Sequence, residues 1–76
     1  MGNSYSVSDI MHERGIFFVI RVPRTVGQYE VLRNEVTHAV HRSTFHFPNE
    51  PSKALAMAVN DCDRRASGDH WAGAKA

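Results

Sequence analysis

The apolar run Ile-Phe-Phe-Val-Ile at residues 16–20 constrains the fold of this chain more than any other segment. Gly15 and Pro23 bound the run, and together with the next two residues it has the length of a strand rather than of a helix. Its β-branched and aromatic side chains also favour a strand. We therefore predict a β-strand over residues 16–22.

This strand is apolar on both faces. Alternation of side chains divides the run into two sets, Ile16, Phe18 and Ile20 on one side and Phe17 and Val19 on the other. A sheet covered by a single helix needs only one apolar face, so something else must cover the second. The candidates are the N-terminal segment around Ile10, the side chain of Trp71, or another chain, including a second copy in a homodimer. We expect the C-terminal helix to cover the face of Ile16, Phe18 and Ile20, so Phe17 and Val19 are candidate interface anchors.

The segment from residue 26 to residue 47 fits two structures. As a helix over residues 26–43 it has an apolar stripe at spacings of three and four, formed by Val26, Tyr29, Leu32, Val36, Ala39 and Val40. As two strands it turns at Asn34-Glu35, and the alternating Phe45-His46-Phe47 suits a sheet. Asn-Glu is a poorer hairpin turn than Asn-Gly. We favour the strands and keep the helix as the alternative.

The clearest helical pattern follows the helix-breaking stretch at residues 48–52. Asn49 or Ser52 can cap its first turn. One face is apolar through Leu55, Ala58, Val59, Cys62 and Ala66. Asp61 can pair with Arg64 or Arg65 on the helix surface. Ser67-Gly68 is predicted to end the helix.

These elements predict an α+β fold with a small three-stranded antiparallel sheet and one C-terminal helix packed on one face, in the order βββα. A single domain over residues 1–76 would comprise an N-terminal segment (1–14), the sheet (15–47), the helix (49–67) and a flexible tail (68–76). The N-terminal segment is expected to form at most a short helical turn, capped by Ser6 or Ser8 and ended by Gly15.

Size, charge and cysteine content limit the classes of function. A 76-residue chain buries only about 60% of its unfolded surface, so a partner or a dimer would help to complete the core. The net charge of +1 gives no overall attraction to nucleic acid or to an anionic membrane. The single cysteine, Cys62, fits a reducing compartment, and no apolar stretch reaches the length of a membrane span. We expect a cytoplasmic protein with no membrane partner.

The histidines and the cysteine are the candidate metal ligands. His38, His41 and His46 could meet Cys62 or His70, but the spacing is not that of a structural zinc site. On a strand, His38 and His41 point to opposite faces. We therefore assign no metal ligands, and a histidine-rich metal-binding domain is the second alternative function.

No motif in the chain identifies a reaction. Cys62 lies on the apolar stripe of the helix, as a packing thiol does, and a nucleophilic cysteine would need an adjacent base. Glycine-rich phosphate loops and nucleophile elbows are absent from the sequence. The prediction is a protein that is not an enzyme and has no catalytic residues and no cofactor.

The middle of the chain is locally basic. Four arginines are predicted on or beside the sheet, where they are candidate partner contacts: Arg21, Arg24, Arg33 and Arg42. Arginines on a sheet that also carries Tyr29 could contact phosphates. A small sheet-based nucleic-acid-binding protein is therefore the first alternative function.

The size and element order resemble the small accessory proteins of phages and mobile elements, among them the anti-CRISPR proteins. The resemblance covers residues 15–66: the apolar strand, the Tyr29-Glu30-Val31 strand, the Phe45-His46-Phe47 strand and the alanine-rich helix from residue 53 to residue 66. It implies a protein-binding module that inhibits a bacterial defence nucleoprotein complex in the host cytoplasm. The class shares no motif, so the resemblance implies no functional residues.

Overall fold

The structure, a computed structural model, describes the backbone of residues 5–75 and the side chains of residues 5–68. A 3-10 turn over Val7–Asp9 precedes four strands and a helix: β1 (Ile10–Arg14), β2 (Phe17–Arg21), β3 (Gln28–Asn34), β4 (Ala39–His46) and α1 (Pro51–Lys75). The strands form one antiparallel sheet in the order β1-β2-β3-β4. The α+β prediction is confirmed, with four strands where three were predicted.

The additional strand comes from the N-terminal segment. Ser6 caps the 3-10 turn, as predicted, and its backbone N–H donates to the Asp9 carboxylate at 3.0 Å. The chain then extends into β1, and Gly15 and Ile16 form a two-residue turn into β2. Gly15 has a φ of +61°, as the first central residue of a type II′ hairpin turn requires. Gly15 therefore joins two strands and ends no helix.

The middle segment is two strands, and the helical alternative is wrong. β3 and β4 pair antiparallel, with Tyr29 opposite Phe45 and Val31 opposite Ser43, and the register shifts at a bulge between Val31 and Leu32. The turn between them spans residues 35–38, longer than predicted, and is closed by the Glu35 N–H donating to the His38 carbonyl at 2.8 Å. The β-branched and aromatic residues of these strands pack on a sheet, which outweighs the helical spacing.

Helix α1 packs across one face of the sheet. The buried core consists of Phe17, Val19, Tyr29, Val31, Ala54, Ala58 and Cys62. The predicted orientation of the apolar run was therefore wrong, because Phe17 (3% exposed) and Val19 (0%) face the helix. Apolar pairs lie on both faces, Val19 with Val31 on this face and Phe18 with Leu32 on the other. Only this face stays apolar across β4, where Phe45 lies opposite Tyr29, whereas Thr44 lies opposite Glu30 on the other face. The helix covers the face with the more continuous apolar surface.

The helix is longer than predicted. It continues through Gly68 to Lys75, so the predicted end at Ser67-Gly68 is wrong. A lone glycine costs a helix only about 1 kcal/mol relative to alanine, and the helical hydrogen bonds on both sides outweigh that cost. The side chains of His70 and Trp71 lie outside the described residues. Within the described residues, no helix is long and apolar enough to cross a membrane.

Candidate functional site

Helix α1 is attached to both edges of the sheet through three consecutive residues, Asp61, Cys62 and Asp63. Ser43 Oγ of β4 donates to Asp61 Oδ2 at 2.7 Å, and His12 Nε2 of β1 lies 2.7 Å from Asp63 Oδ1. Cys62, between them, lies in the core. Successive helical side chains point about 100° apart, which lets three neighbours reach three different places. Polar contacts therefore hold α1 to both edge strands of the sheet.

Asp61 is buried, with hydrogen bonds from several partners. Burial alone would raise the pKa of this carboxyl, but hydrogen bonds from Arg65 and Ser43 outweigh it, and the net pKa is lowered. Arg65 Nε donates at 2.7 Å and Arg64 Nη2 at 3.3 Å, which confirms both predicted ion pairs of the helix. The carboxylate is therefore ionised at neutral pH and serves to join α1 to β4.

The thiol of Cys62 is fully buried in the core, as the helical stripe predicted. Burial raises its pKa to about 11, and the negative charges of Asp63 and Asp61 act in the same direction. The backbone N–H of Arg14 donates a hydrogen bond to the sulfur, which opposes this shift. A thiol with this pKa is protonated at neutral pH and is a poor nucleophile.

The structure does not bring the predicted histidines to the cysteine. His38 and His41 contact hydroxyl groups near them in sequence, Thr37 Oγ1 at 2.9 Å and Thr44 Oγ1 at 2.6 Å. His46 is exposed. Instead it is His12, which no spacing argument singled out, that lies beside Cys62 and Asp63.

The face of the sheet opposite α1, here called the outer face, carries its own apolar group. It consists of Ile10, Phe18, Ile20 and Leu32, which adjoin one another because Ile10 pairs with Ile20 and Phe18 with Leu32. Neighbouring side chains leave Ile20 and Leu32 only 3% and 2% exposed. The Tyr5 ring packs on Phe18 with ring centroids 6.0 Å apart. The Tyr5 ring therefore covers part of this face, which is not the face of Phe17 and Val19 that the sequence alternative had the N-terminal segment cover.

A cleft of about 240 Å³ opens at one end of the outer face, beside the β1–β2 turn. This outer-face cleft is lined by Tyr5, Ile10, Glu13, Gly15, Ile16, Phe17, Phe18 and Asn34. The side chain of Ile16 is 46% exposed at this cleft. Small-molecule pockets usually measure about 300–1,000 Å³, so this cleft is sized for a single side chain.

Two of the predicted partner-contact arginines lie at opposite ends of the sheet. Arg21 lies opposite Tyr29 and Arg33 lies opposite Phe17, and the four residue steps of β2 from Phe17 to Arg21 span about 13 Å. Each has an acidic neighbour: Arg21 Nη2 donates to the Asp9 carboxylate at 3.0 Å, and Arg33 Nε lies 3.1 Å from the Glu35 carboxylate. The pKa of Asp9 is lowered, first by the Ser6 backbone hydrogen bond and then by Arg21. These two arginines are part of local ion pairs.

The other two arginines are exposed at separate places. Arg24 lies in the connection between β2 and β3 with a φ of 65°, and Arg42 lies on edge strand β4. The structure therefore does not bring the four arginines together on one surface. Phe17 and Val19, the predicted interface anchors, lie in the core beneath α1.

No protein-family model, curated protein or solved structure matches this chain. The resemblance to anti-CRISPR proteins therefore remains a prediction from size and element order. The outer-face cleft, which lies between exposed Ile16 and the packed Tyr5 and Phe18 rings, is the concave feature that a functional proposal can use.

Proposed function

We propose that the protein is a non-enzymatic binding module whose outer-face cleft takes one apolar side chain of a protein partner. The observation that carries the proposal is the cleft itself, which lies between exposed Ile16 and the packed Tyr5 and Phe18 rings. Protein interfaces concentrate their binding energy where an aromatic or aliphatic anchor fills such a pocket. The partner that the size and element order favour is a bacterial defence nucleoprotein complex, which the bound protein would inhibit.

Polar groups at the cleft add selectivity to this apolar contact. Glu13 and Asn34 both line the cleft beside its apolar residues. An interface core surrounded by polar groups that can form hydrogen bonds is the usual arrangement in specific complexes. A suitable partner segment therefore carries an aromatic or aliphatic anchor next to a hydrogen-bond donor or a basic residue that reaches Glu13.

Strand β1 gives the same partner a second means of attachment. It lies at one edge of the sheet, and its residues Ile10 and Glu13 line the cleft. Edge strands present unpaired backbone N–H and carbonyl groups to which an extended segment can pair. A partner strand laid along β1 would deliver its side chain directly to the cleft.

The proposal is tested with bacterial strains that each contain one active defence nuclease complex. Expression of the protein is expected to restore phage plaquing in a strain whose complex it binds, and the purified complex is expected to bind the protein. Ile16→Asp puts a charge in the cleft wall and should weaken this binding at least about thirtyfold, equivalent to a hot-spot loss of 2 kcal/mol. Val36→Asp is the matched control, because Val36 is 100% exposed in the β3–β4 turn.

Three outcomes would overturn the proposal. If Ile16→Asp and Val36→Asp bind the complex equally well, the cleft is not the contact. If the protein inhibits no strain and instead shifts DNA or RNA with a steep salt dependence, it is a nucleic-acid binder, and glutamate at Arg21, Arg24, Arg33 and Arg42 should abolish the shift. If the protein forms a dimer that Ile16→Asp dissociates, a second copy occupies the cleft.

A further inference from the structure

A cluster of potential metal ligands lies on the face of the sheet that α1 covers, where β1 packs against the helix. Within the described residues, His12, Cys62 and Asp63 each offer one ligand atom, and these atoms all lie within 4.8 Å of one another. The shortest separation is 2.7 Å, between His12 Nε2 and Asp63 Oδ1. The cluster is separate from the outer-face cleft and independent of the function proposed for it.

The distances in the cluster are close to those of a metal site. Zinc binds nitrogen at about 2.0–2.1 Å, sulfur at about 2.3 Å and carboxylate oxygen at about 2.0–2.2 Å, so the donors of a tetrahedral site lie roughly 3.3–3.7 Å apart. The separations here, from 2.7 Å up to the 4.8 Å limit, bracket that range. Side-chain shifts of roughly 1 Å would therefore place all three donors around one ion.

We propose that His12, Cys62 and Asp63 form a three-ligand site for Zn²⁺, with the fourth position open to solvent. Imidazole, thiolate and carboxylate are all ligands that zinc accepts. The side chains of His12 and Asp63 are 29% and 36% exposed, which leaves a path for the ion and room for a water ligand. Cys62 closes the site on its buried side.

The surroundings favour a bound dication in two ways. The backbone N–H of Arg14 already donates to the Cys62 sulfur, as backbone N–H groups do to metal-bound thiolates. A thiolate and a carboxylate together neutralise the charge of Zn²⁺. Binding breaks the Cys62 S–H bond, forms a bond between sulfur and zinc, and releases that proton to solvent.

One feature opposes the ion. The guanidinium of Arg14 lies 3.6 Å from Asp63 Oδ1 and competes with Zn²⁺ for that carboxylate. The affinity of the site should therefore rise in the Arg14→Gln variant, whose backbone N–H is unchanged. A rise in Zn²⁺ affinity distinguishes a metal site from a cluster that only forms ion pairs, in which Arg14→Gln would simply remove the ion pair with Asp63.

The test uses the full chain, stripped of metal with a chelator and titrated with Zn²⁺ and with Co²⁺. We expect one equivalent of Zn²⁺ to bind, with release of the thiol proton. Co²⁺ should give a thiolate charge-transfer band in the near ultraviolet and the intense visible absorption of a four-coordinate ion. His12→Gln and Cys62→Ala should each weaken binding at least about tenfold, since even the loss of an outer-shell partner costs about 10–100-fold.

His46→Gln is the matched control, because His46 is exposed on β4 away from the cluster. Circular dichroism checks that each variant is folded, and His12→Gln, at a partly exposed position, remains informative if the core variant Cys62→Ala is not. The proposal is overturned if the wild-type chain binds no Zn²⁺ at micromolar concentration. It is equally overturned if folded His12→Gln binds as tightly as the wild type, or if the Co²⁺ complex lacks the thiolate band.

Discussion

The two glycines with positive φ provide a matched test of the turn geometry. Gly15 has a φ of +61° and Gly27 a φ of +68°, a conformation that costs other residues about 1–2 kcal/mol. A Cβ at Gly15 would meet only the Ala66 side chain, at 3.8 Å, whereas a Cβ at Gly27 would lie 2.3 Å from the Phe47 carbonyl oxygen and 3.1 Å from the Pro48 Cα. The two Gly→Ala variants therefore differ chiefly in the space around the new methyl group.

The expected losses in the free energy of unfolding differ at least twofold between the two variants. Alanine lowers the conformational entropy of the unfolded chain, which offsets about 0.4–1 kcal/mol of the cost of its positive φ. Gly15→Ala should therefore lower the free energy of unfolding by about 1 kcal/mol. Gly27→Ala must also displace the backbone at Phe47, whose N–H donates to the Gly27 carbonyl at 2.9 Å. Losing that hydrogen bond and disturbing the packing of Phe47 brings the expected loss to about 3 kcal/mol or more.

Thermal and urea unfolding, followed by circular dichroism, measure the difference. For a chain of this size, about 1 kcal/mol corresponds to a shift in Tm of about 4–8 °C. Gly15→Ala should fall in that range, and Gly27→Ala should lose at least twice as much or be largely unfolded at room temperature. Equal losses in the two variants would refute the close approach of Gly27 to Phe47.

Three further predictions concern single side chains. Arg24→Gly should raise the free energy of unfolding by about 0.5 kcal/mol in urea titrations, because relief of the positive φ exceeds the entropy that glycine adds to the unfolded chain. The pKa of Asp61 is lower in the folded protein than in the unfolded chain, so its contribution to the free energy of unfolding is fully present above about pH 4 and is lost as the pH falls through the folded-state pKa. Asp61→Asn should therefore reduce the loss of stability in acid. The buried Cys62 thiol, with a pKa of about 11, should resist a disulfide reagent at pH 8 until denaturant unfolds the chain.

Each of these has its own control. His46→Gly, at an exposed and regularly paired strand position where φ is not positive, should lower stability, so a gain in both glycine variants would contradict the argument for Arg24. Because the pKa of Asp9 is also lowered, the stability of Asp61→Asn should still depend partly on pH in acid. If the stability of this variant falls with pH as steeply as that of the wild type, the role of Asp61 is contradicted. Rapid labelling of Cys62 in the native protein, without denaturant, would show that the core does not shield it.

The composition of each segment decided how far the sequence could predict the fold. The breaker stretch and the apolar stripe located α1, and the β-branched and aromatic residues located β3 and β4. Strand β1 was missed because an edge strand is half exposed and its Met-His-Glu-Arg stretch shows no alternation of apolar and polar residues. The sequence signal for the β1–β2 hairpin was also weak, because the turn consists of a single glycine, Gly15, followed by Ile16.

The orientation of β2 could not be read from its own residues. Both of its faces are apolar, so only the other strands show which one the helix covers, and the deciding pairs are Tyr29 with Phe45 on the covered face and Glu30 with Thr44 on the outer face. The candidate zinc site escaped prediction for a related reason. His12 and Asp63 are 51 positions apart, so only the tertiary fold brings them together.

The position of α1 after the sheet has a consequence for synthesis. All four strands are adjacent in both sequence and space, so the sheet can form pair by pair as the chain leaves the ribosome. The helix that covers Val19 and Val31 is made after all four strands. Until then the nascent sheet presents its most apolar face to water, and a chaperone that recognises exposed aliphatic surface has its best opportunity in that interval.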